Sequence, residues 1–362
     1  MDKILVVSNM YPDNRFPYYG IFVKNFCRQL EEINISYKLS VLTKKISKPG
    51  KLIGYIVFYI LTFIQCVFGR YQLVYVHYAS FSSLPVLLAR KIRKFKIYVN
   101  VHGSDVFPLK KSHHKMQKYT KKIVKAADRI VTPSGYFKDV VVKKYCVDEK
   151  KVYIYPSGGI DLKKFRPFKK SRIDCLKKKY GINNVQFCIG YVSRINKTKG
   201  WDIFLKAAKK VLDGYFDCIF LMVGNGEDDE KLTDMIKELE LEQYIYRLPQ
   251  QPQDKLPEIY NIIDLFVFPT ISSESLGLVA IEAMACGCPV VASDYAAPGE
   301  YIIENVNGKK FPKGDYKSLA DCIKTYLESD ICYRQMLKDG ALSTAEDYGT
   351  EKAKELLYKT MC

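Results

Sequence analysis

With four histidines and no Cys-x-x-Cys pair, this 362-residue sequence lacks an evident zinc site. Only His77, His102, His113 and His114 supply imidazole. The eleven cysteines are odd in number and scattered singly. That pattern fits buried, reduced thiols in a cytosolic chain rather than a disulfide framework. No Gly-x-Gly-x-x-Gly follows the first apolar run, Ile4–Val7, which disfavours a dehydrogenase-type dinucleotide site. The run is also too short for a secretory leader and reads as a buried first strand. No paired-aspartate motif stands where a metal would bridge phosphates. Solenoid-length repeats and low-complexity tracts are absent, so neither a repeat array nor disorder is indicated.

Acidic residues are scarce in one half only. Residues 1–168 carry 31 Lys+Arg against 10 Asp+Glu, whereas residues 169–362 carry 26 against 29. The first half alone is therefore basic and should seek anions such as phospholipid, nucleic acid or acidic ligands.

The length suits two domains. Apolar runs alternate with helical patterns from Ile4 onward, and the alternation restarts after a Gly/Pro-rich loop at Pro156, Gly158, Gly159 and Pro167. Expected strands include Leu73–His77, Lys96–Val101, Phe187–Tyr191, Cys218–Val223 and Asp264–Pro269, with helices at Asp202–Val211 and Leu278–Ala285. Such alternation predicts an α/β protein with parallel sheets covered on both faces. The expected division is residues 1–165 and 166–345, with a C-terminal helix over 346–362 packing back on the first domain. In doubly wound sheets ligands bind outside the carboxyl ends of the strands. With two such domains, a cleft between them is the expected site.

Leu52–Phe68 is apolar around the whole helix, with only Thr62 and Gln65 strongly polar. Lys44, Lys45, Lys48 and Lys51 precede it. Three fates fit: a membrane span, a fully buried core helix, or a monotopic helix lying half in a bilayer. A span would put Leu73–His77 and Ile4–Val7 on opposite sides of the membrane, which breaks the first sheet. The monotopic reading fits the lysines best.

The stretch Ser273-Glu274-Ser275-Leu276-Gly277-Leu278-Val279-Ala280-Ile281-Glu282 follows a strand and opens a helix. Free amides around Gly277, Leu278 and Val279 would make an anion site, helped by the helix dipole. Glu274 and Glu282 flank it and can accept hydroxyl hydrogen bonds. Glu282 as a plain surface acid fits poorly, because its neighbours are apolar and a buried carboxylate needs partners. A second loop carries Arg194 and Lys199 after the strand Phe187–Tyr191. Together they can hold two cations over one diphosphate, although loop lysines and arginines are often merely solvated.

The Glu274-x7-Glu282 spacing and the Arg194-x4-Lys199-Gly200 pattern resemble glycosyltransferase family 4, retaining enzymes of the GT-B fold. The likeness covers nearly the whole chain. Tyr19-Gly20-Ile21-Phe22-Val23 resembles the family's glycine loop, His102-Gly103-Ser104-Asp105 its HG-x-D element, Pro156–Asp161 its junction turn, and Val223-Gly224-Asn225-Gly226 its V-G-x-G turn. The resemblance implies that Arg194 and Lys199 neutralise the donor diphosphate and that Glu274 binds hydroxyls of the transferred sugar. It also implies that Glu282 binds the ribose, that Gly277, Leu278 and Val279 hold phosphate and sugar, and that Gly224 lies at the donor. His102 would lie near the reaction centre and Gly20 by the diphosphate. Tyr19 and Asp105 are acceptor candidates. Tyr19 stands where many members have a second glycine, residues 156–159 lack the usual Asn, and Leu276 replaces a common Phe; these departures bear on geometry and specificity.

The resulting expectation is a retaining, metal-independent glycosyltransferase without cofactor. It would use a nucleotide-sugar donor and a lipid-linked or glycan acceptor in cell-surface polysaccharide synthesis. It would sit peripherally on the cytoplasmic face of an anionic membrane, with no nucleic-acid partner. A nucleotide-sugar epimerase of the same fold is the competing enzyme. A basic membrane or nucleic-acid binder without activity is the non-enzymatic alternative, which leaves Glu274 and Glu282 unexplained.

Overall fold

Apolar runs become parallel strands in both halves of the computed structural model, which describes residues 4–17, 19–108, 111–182, 185–214 and 216–362. The chain divides into two units, Met1–Gly159 with Ala353–Cys362, and Ile160–Lys352.

In the first unit the strands are β1 (Ile4–Tyr11), β2 (Tyr37–Thr43), β3 (Leu73–His77), β4 (Lys96–Asn100), β5 (Arg129–Thr132) and β6 (Val152–Ile154). The helices between them are α1 (Ile21–Glu32), α2 (Lys48–Phe68), α3 (Ala79–Arg90), α4 (Lys111–Ala126) and α5 (Gly135–Tyr145). All strands pair in parallel in the order β2-β1-β3-β4-β5-β6. Helices cover both faces, so a central strand such as β3 is buried along its length and reads as one apolar run. One core lies under α2 to α5 and the other under α1, where Ala353 and Leu357 join it.

The second unit holds α6 (Lys170–Lys179), β7 (Phe187–Val192), α7 (Trp201–Leu212), β8 (Cys218–Val223), α8 (Asp229–Glu238), β9 (Ile245–Leu248), α9 (Leu256–Asn261) and β10 (Leu265–Phe268). It continues through α10 (Leu278–Ala285), β11 (Val290–Ser293), α11 (Ala296–Tyr301), β12 (Gly308–Phe311), α12 (Tyr316–Glu328) and α13 (Ile331–Glu346), with α14 (Thr350–Met361) closing the chain. Its sheet runs β12-β11-β10-β7-β8-β9, again parallel throughout. Strands β8 and β9 lie to one side of β7 and β10 to β12 to the other, which creates a switch point where ligands are expected.

The division falls after Gly159, not after residue 165, and the returning segment starts at Ala353, not 346. The reason is local pairing. Ile160 bridges to Gly349 and Phe165 packs into the second unit's core. In the last helix, by contrast, Lys354 pairs with Glu32 at 3.2 Å and Arg129 donates to the carbonyl of Thr360.

Helix α2 starts at Ser47, whose hydroxyl accepts from the Gly50 amide at 3.1 Å. Only Phe58, Thr62 and Cys66, one narrow face, are fully buried; the Thr62 and Ser40 hydroxyls share a 2.7 Å hydrogen bond. Leu52, Ile56, Ile60, Ile64 and Phe68 lie open to solvent, as do Ile53, Val57 and Leu61. The fully buried core helix is therefore overturned. A membrane span is overturned too, although the helix is long and apolar enough for one. The strands at its two ends, β2 and β3, both pair with β1.

Candidate active site

The site residues inferred from sequence fall into two groups, one on each unit. In the second unit they gather at the carboxyl ends of β7, β8 and β10. The loop after β7 is pinned by Ile195, which is fully buried and whose amide donates to the Asn225 carbonyl at 3.1 Å. That anchor leaves Arg194 exposed beside it. Asn196 then accepts from the Thr198 amide and opens a short turn that presents Lys199.

Lys199 forms an ion pair with Glu274, and both side chains are largely withdrawn from water. Glu274 Oε1 also accepts from Thr270 Oγ1 at 3.0 Å and Ser272 Oγ at 2.9 Å. Among the described residues no partner is recorded for Oε2. One oxygen is thus anchored and the other remains an acceptor. Thr270 and Ser272 were missed in the sequence, although the hydroxyl run Thr270-Ile271-Ser272-Ser273 directly before a glutamate is a legible signal.

Gly277 caps α10 with φ 83°. A Cβ there would come within 2.8 Å of Phe268 and 3.1 Å of the Tyr301 hydroxyl, so both conformation and space call for glycine. The first-turn amides of Leu278 and Val279 have no helical acceptor before them. Glu282 is buried one turn on, and Tyr260 Oη donates to its Oε2 at 3.0 Å. Burial pushes its carboxyl up to about 7, against the pull of that hydrogen bond. Tyr260 was also missed, because nothing near position 260 marks it. A cavity of about 150 Å³ adjoins this end, lined among others by Ser193, Arg194, Gly224, Asn225, Gln250 and Val279. It is smaller than the ~300–1,000 Å³ typical of small-molecule sites. A larger cavity of about 210 Å³ opens near Phe187, Asp264 and Pro289, at the amino ends of the strands, away from the helix end.

In the first unit the group forms around β3, β4 and the loop after β1. Gly20 has φ 74°, and a Cβ would lie 2.5 Å from the Met10 carbonyl carbon. Only glycine lets α1 start against β1. Tyr19 is half-buried with its hydroxyl 3.5 Å from the Asn9 carbonyl, and burial pushes its phenol up to about 12, helped by Tyr55 and Tyr78. Asn9 in turn donates to Tyr55 Oη of α2 at 3.1 Å.

Asp105 requires a correction. Its buried carboxylate accepts from the amides of His102 (3.0 Å), Gly103 (2.8 Å) and Ala79 (3.1 Å). Both oxygens are engaged on the loop, so Asp105 shapes the backbone at His102 and is not presented to an acceptor. His102 Nε2 lies 3.1 Å from His77 Nδ1, the rings stacked at 5.3 Å, with Phe22 at 4.4 Å from His102. Burial lowers both imidazoles, His102 down to about 3, so the pair is neutral. His77 Nε2 is buried without a partner among the described residues. A bare lone pair is the cheaper orphan than an N–H. With that lone pair on Nε2, His77 would donate from Nδ1 and His102 Nε2 would accept. Tyr78, next in sequence, holds φ 62°, a strained value for a bulky residue.

Residues 24–164 match the model described as Glycosyltransferase Family 4, and residues 173–342 the model Glycosyl transferases group 1. A D-inositol 3-phosphate glycosyltransferase 1 of Catenulispora acidiphila is 29% identical over 245 residues, 65% of this chain and 57% of that protein. The D-inositol 3-phosphate glycosyltransferase of Paenarthrobacter aurescens is 26% identical over 304 residues, covering 80% and 72%. The chain spans about half the length of the first curated relatives it matches. Among solved structures, HepE of Anabaena in complex with UDP superposes with TM-score 0.78 at 19% identity, covering 100% of this chain and 99% of that one. Sucrose-phosphate synthase of Thermosynechococcus elongatus gives 0.79 at 18%, covering 100% and 99%. These likenesses bear on the fold, which is GT-B. The two family models between them take in most of the sequence, and the chain belongs to glycosyltransferase family 4.

Proposed function

We propose that the chain is a retaining glycosyltransferase that moves a sugar from a nucleotide-diphosphate sugar to a lipid-linked glycan acceptor in cell-surface polysaccharide synthesis. The observation that carries this reading is the start of α10. Open amides, the Lys199–Glu274 pair and buried Glu282 stand together there beside a small cavity. Lys199, Arg194 and the helix end meet the diphosphate, Glu274 Oε2 takes a sugar hydroxyl, and Glu282 takes the ribose hydroxyls. The bond from sugar to diphosphate breaks, a bond to the acceptor hydroxyl forms on the same face, and the acceptor proton passes to the leaving phosphate. Preorganised donors stabilise that departing charge without a metal. HepE has been solved with UDP and with UDP-glucose, which makes UDP-glucose the first donor to try.

The lipid-linked acceptor and the cytoplasmic membrane face rest on the first unit. The outer stripe of α2 is apolar, and α4 carries Lys111, Lys115, Lys118, Lys122 and Lys125, all exposed, at spacings that put them on one helix face. Lys110, which the sequence placed in the same set, lies outside the described residues. Helix α3 packs against both α2 and α4, so the apolar and basic stripes share one side of the sheet. Apolar insertion and attraction to anionic headgroups would then act together.

The test is turnover of UDP-glucose and a panel of other nucleotide sugars with a membrane-lipid extract as acceptor. Product configuration is read by NMR, with and without EDTA. Retained configuration at an EDTA-insensitive rate is expected. No turnover of any donor sinks the transferase reading. Steady sugar inversion without acceptor replaces it by an epimerase, and a loss restored by Mg²⁺ removes the metal-free mechanism.

A further inference from the structure

Strand β2 is the edge of its sheet, and α2 covers it only in part. Between them lies a groove of about 440 Å³, within the ~300–1,000 Å³ typical of small-molecule sites. Its walls are Leu42, Ile53, Val57, Phe58 and Leu61, with Lys45 at the rim. The exposed apolar residues of α2 fall into two stripes with a four-residue repeat. Ile53, Val57 and Leu61 wall the groove, whereas Leu52, Ile56, Ile60, Ile64 and Phe68 form the adjoining stripe and do not.

Polarity runs one way along the groove. The Lys45 stem lies over Gly54, where an added Cβ would come within 3.4 Å of Lys45 Cγ, and its ammonium donates to Thr43 Oγ1 at 3.3 Å. Thr43 ends β2 and sits in register with Tyr11 at the end of β1. The cationic end of the groove therefore lies at the carboxyl edge of the sheet, the edge that carries Tyr19, Gly20 and His102. Lys44, Lys48 and Lys51 are exposed near the same end.

We infer that this groove holds one hydrocarbon chain of the acceptor lipid, with the lipid's phosphate at Lys45 and its sugar-bearing head directed to the carboxyl edge. The inference rests on the lipid-linked acceptor reading above. The chain is chosen because the walls are apolar side chains, the one charged side chain is cationic, and the groove continues the apolar face assigned to the membrane.

The probe is hexadecyl phosphate with a terminal diazirine, carried at low mole fraction in phosphatidylcholine vesicles, photolysed and mapped by peptide mass spectrometry. Labelling is expected on Leu42, Val57 and Leu61, and excess long-chain prenyl phosphate should remove it. Val57→Trp, at a half-exposed position that should tolerate bulk, should fill the groove and cut labelling at least tenfold without changing vesicle flotation. Lys45→Ala should weaken labelling by the phosphate probe several-fold and leave that by diazirinyl hexadecanol unchanged. Label confined to the 52/56/60 stripe, or removed equally well by phosphatidylglycerol, overturns the inference. UDP-glucose binding and turnover, measured on the same preparations, separate the two claims. Intact turnover with failed groove labelling sinks the groove alone, and groove labelling without turnover of any donor sinks the transferase alone.

Discussion

Helices α2 and α10 are alike in composition and opposite in fate. Both are apolar around most of their circumference. Ala280–Ala285 of α10 are all buried, packed against α9 and α13. Its one charge, Glu282, is buried with them. Helix α2 buries three residues outright and leaves eight large apolar ones exposed. Each Leu or Ile left about half in water forgoes roughly half of the ~1.5–3 kcal/mol that full burial supplies. Composition states that a helix needs cover; it does not say what supplies it. For α10 the cover is the rest of its own unit, and the cost of the buried carboxyl is offset in part by the Tyr260 hydrogen bond. For α2 the chain leaves that face exposed, and the proposed cover is a membrane.

The largest expected effect breaks the α10 side of this comparison. Lys199→Ala or Glu274→Ala should lower kcat/KM by ~10²–10³, or ~2.7–4 kcal/mol of transition-state stabilisation, with circular dichroism unchanged. Because the two form one ion pair, the double variant should lose little beyond the worse single one. Near-normal turnover in both single variants would remove the assigned site.

On the α2 side, the triple variant Lys111→Glu, Lys115→Glu, Lys118→Glu should weaken flotation with anionic vesicles by ~10² or more, at ~1 kcal/mol per lysine lost. Wild-type binding should fall as salt shortens the screening length. Ile56→Ser with Ile60→Ser should weaken binding to neutral vesicles as well. A protein that stays unbound on anionic vesicles at low salt would leave α2 without its proposed cover, and the transferase chemistry of the second unit would stand.

Legibility followed burial. Strands β3 and β8 were readable to the residue, Leu73–His77 and Cys218–Val223, because both faces of each are covered and the apolar run is the strand. Strands β9 and β12 sit at the sheet edge and were missed: Ile245–Leu248 exposes Tyr246, and Gly308–Phe311 carries two lysines. Within the site, the short spacing around Gly277 and Glu282 was visible as a helix start. The Lys199–Glu274 pair, 75 positions apart, and the His77–His102 pair, 25 apart, are made by neighbouring strand ends and have no local pattern.

A smaller effect tests the histidine pair. His77→Phe keeps the apolar fit against Phe26 and Tyr75 but removes the hydrogen bond to His102. A loss of about tenfold in kcat/KM is expected, the scale of one net hydrogen bond. ¹⁵N NMR should show His102 protonated on Nδ1 in the wild type and a mixture of tautomers in the variant. An unchanged tautomer would reduce His77 to packing.

The smallest effect concerns pH and belongs to α10 alone. In the free protein burial holds the Glu282 carboxyl up to about 7, so below that pH it carries a proton. Ribose hydroxyls are donors, and the ionised carboxylate is the better acceptor for two of them. Donor binding must then displace the proton below pH 7 and need not above it. The sign follows: donor affinity should rise with pH up to about 7, by at most ~10-fold per unit, and level off beyond. Isothermal titration with UDP-glucose, whose doubly esterified diphosphate does not titrate in this range, between pH 5.5 and 8.5 measures this without any acceptor. Glu282→Gln, which cannot titrate, should bind more weakly above pH 7 and lose the slope below it. A wild-type affinity that is flat across that range would mean that the nucleotide does not meet Glu282. The carboxylate buried in α10 would then serve only to hold Tyr260, and the contrast with α2 would reduce to one of packing.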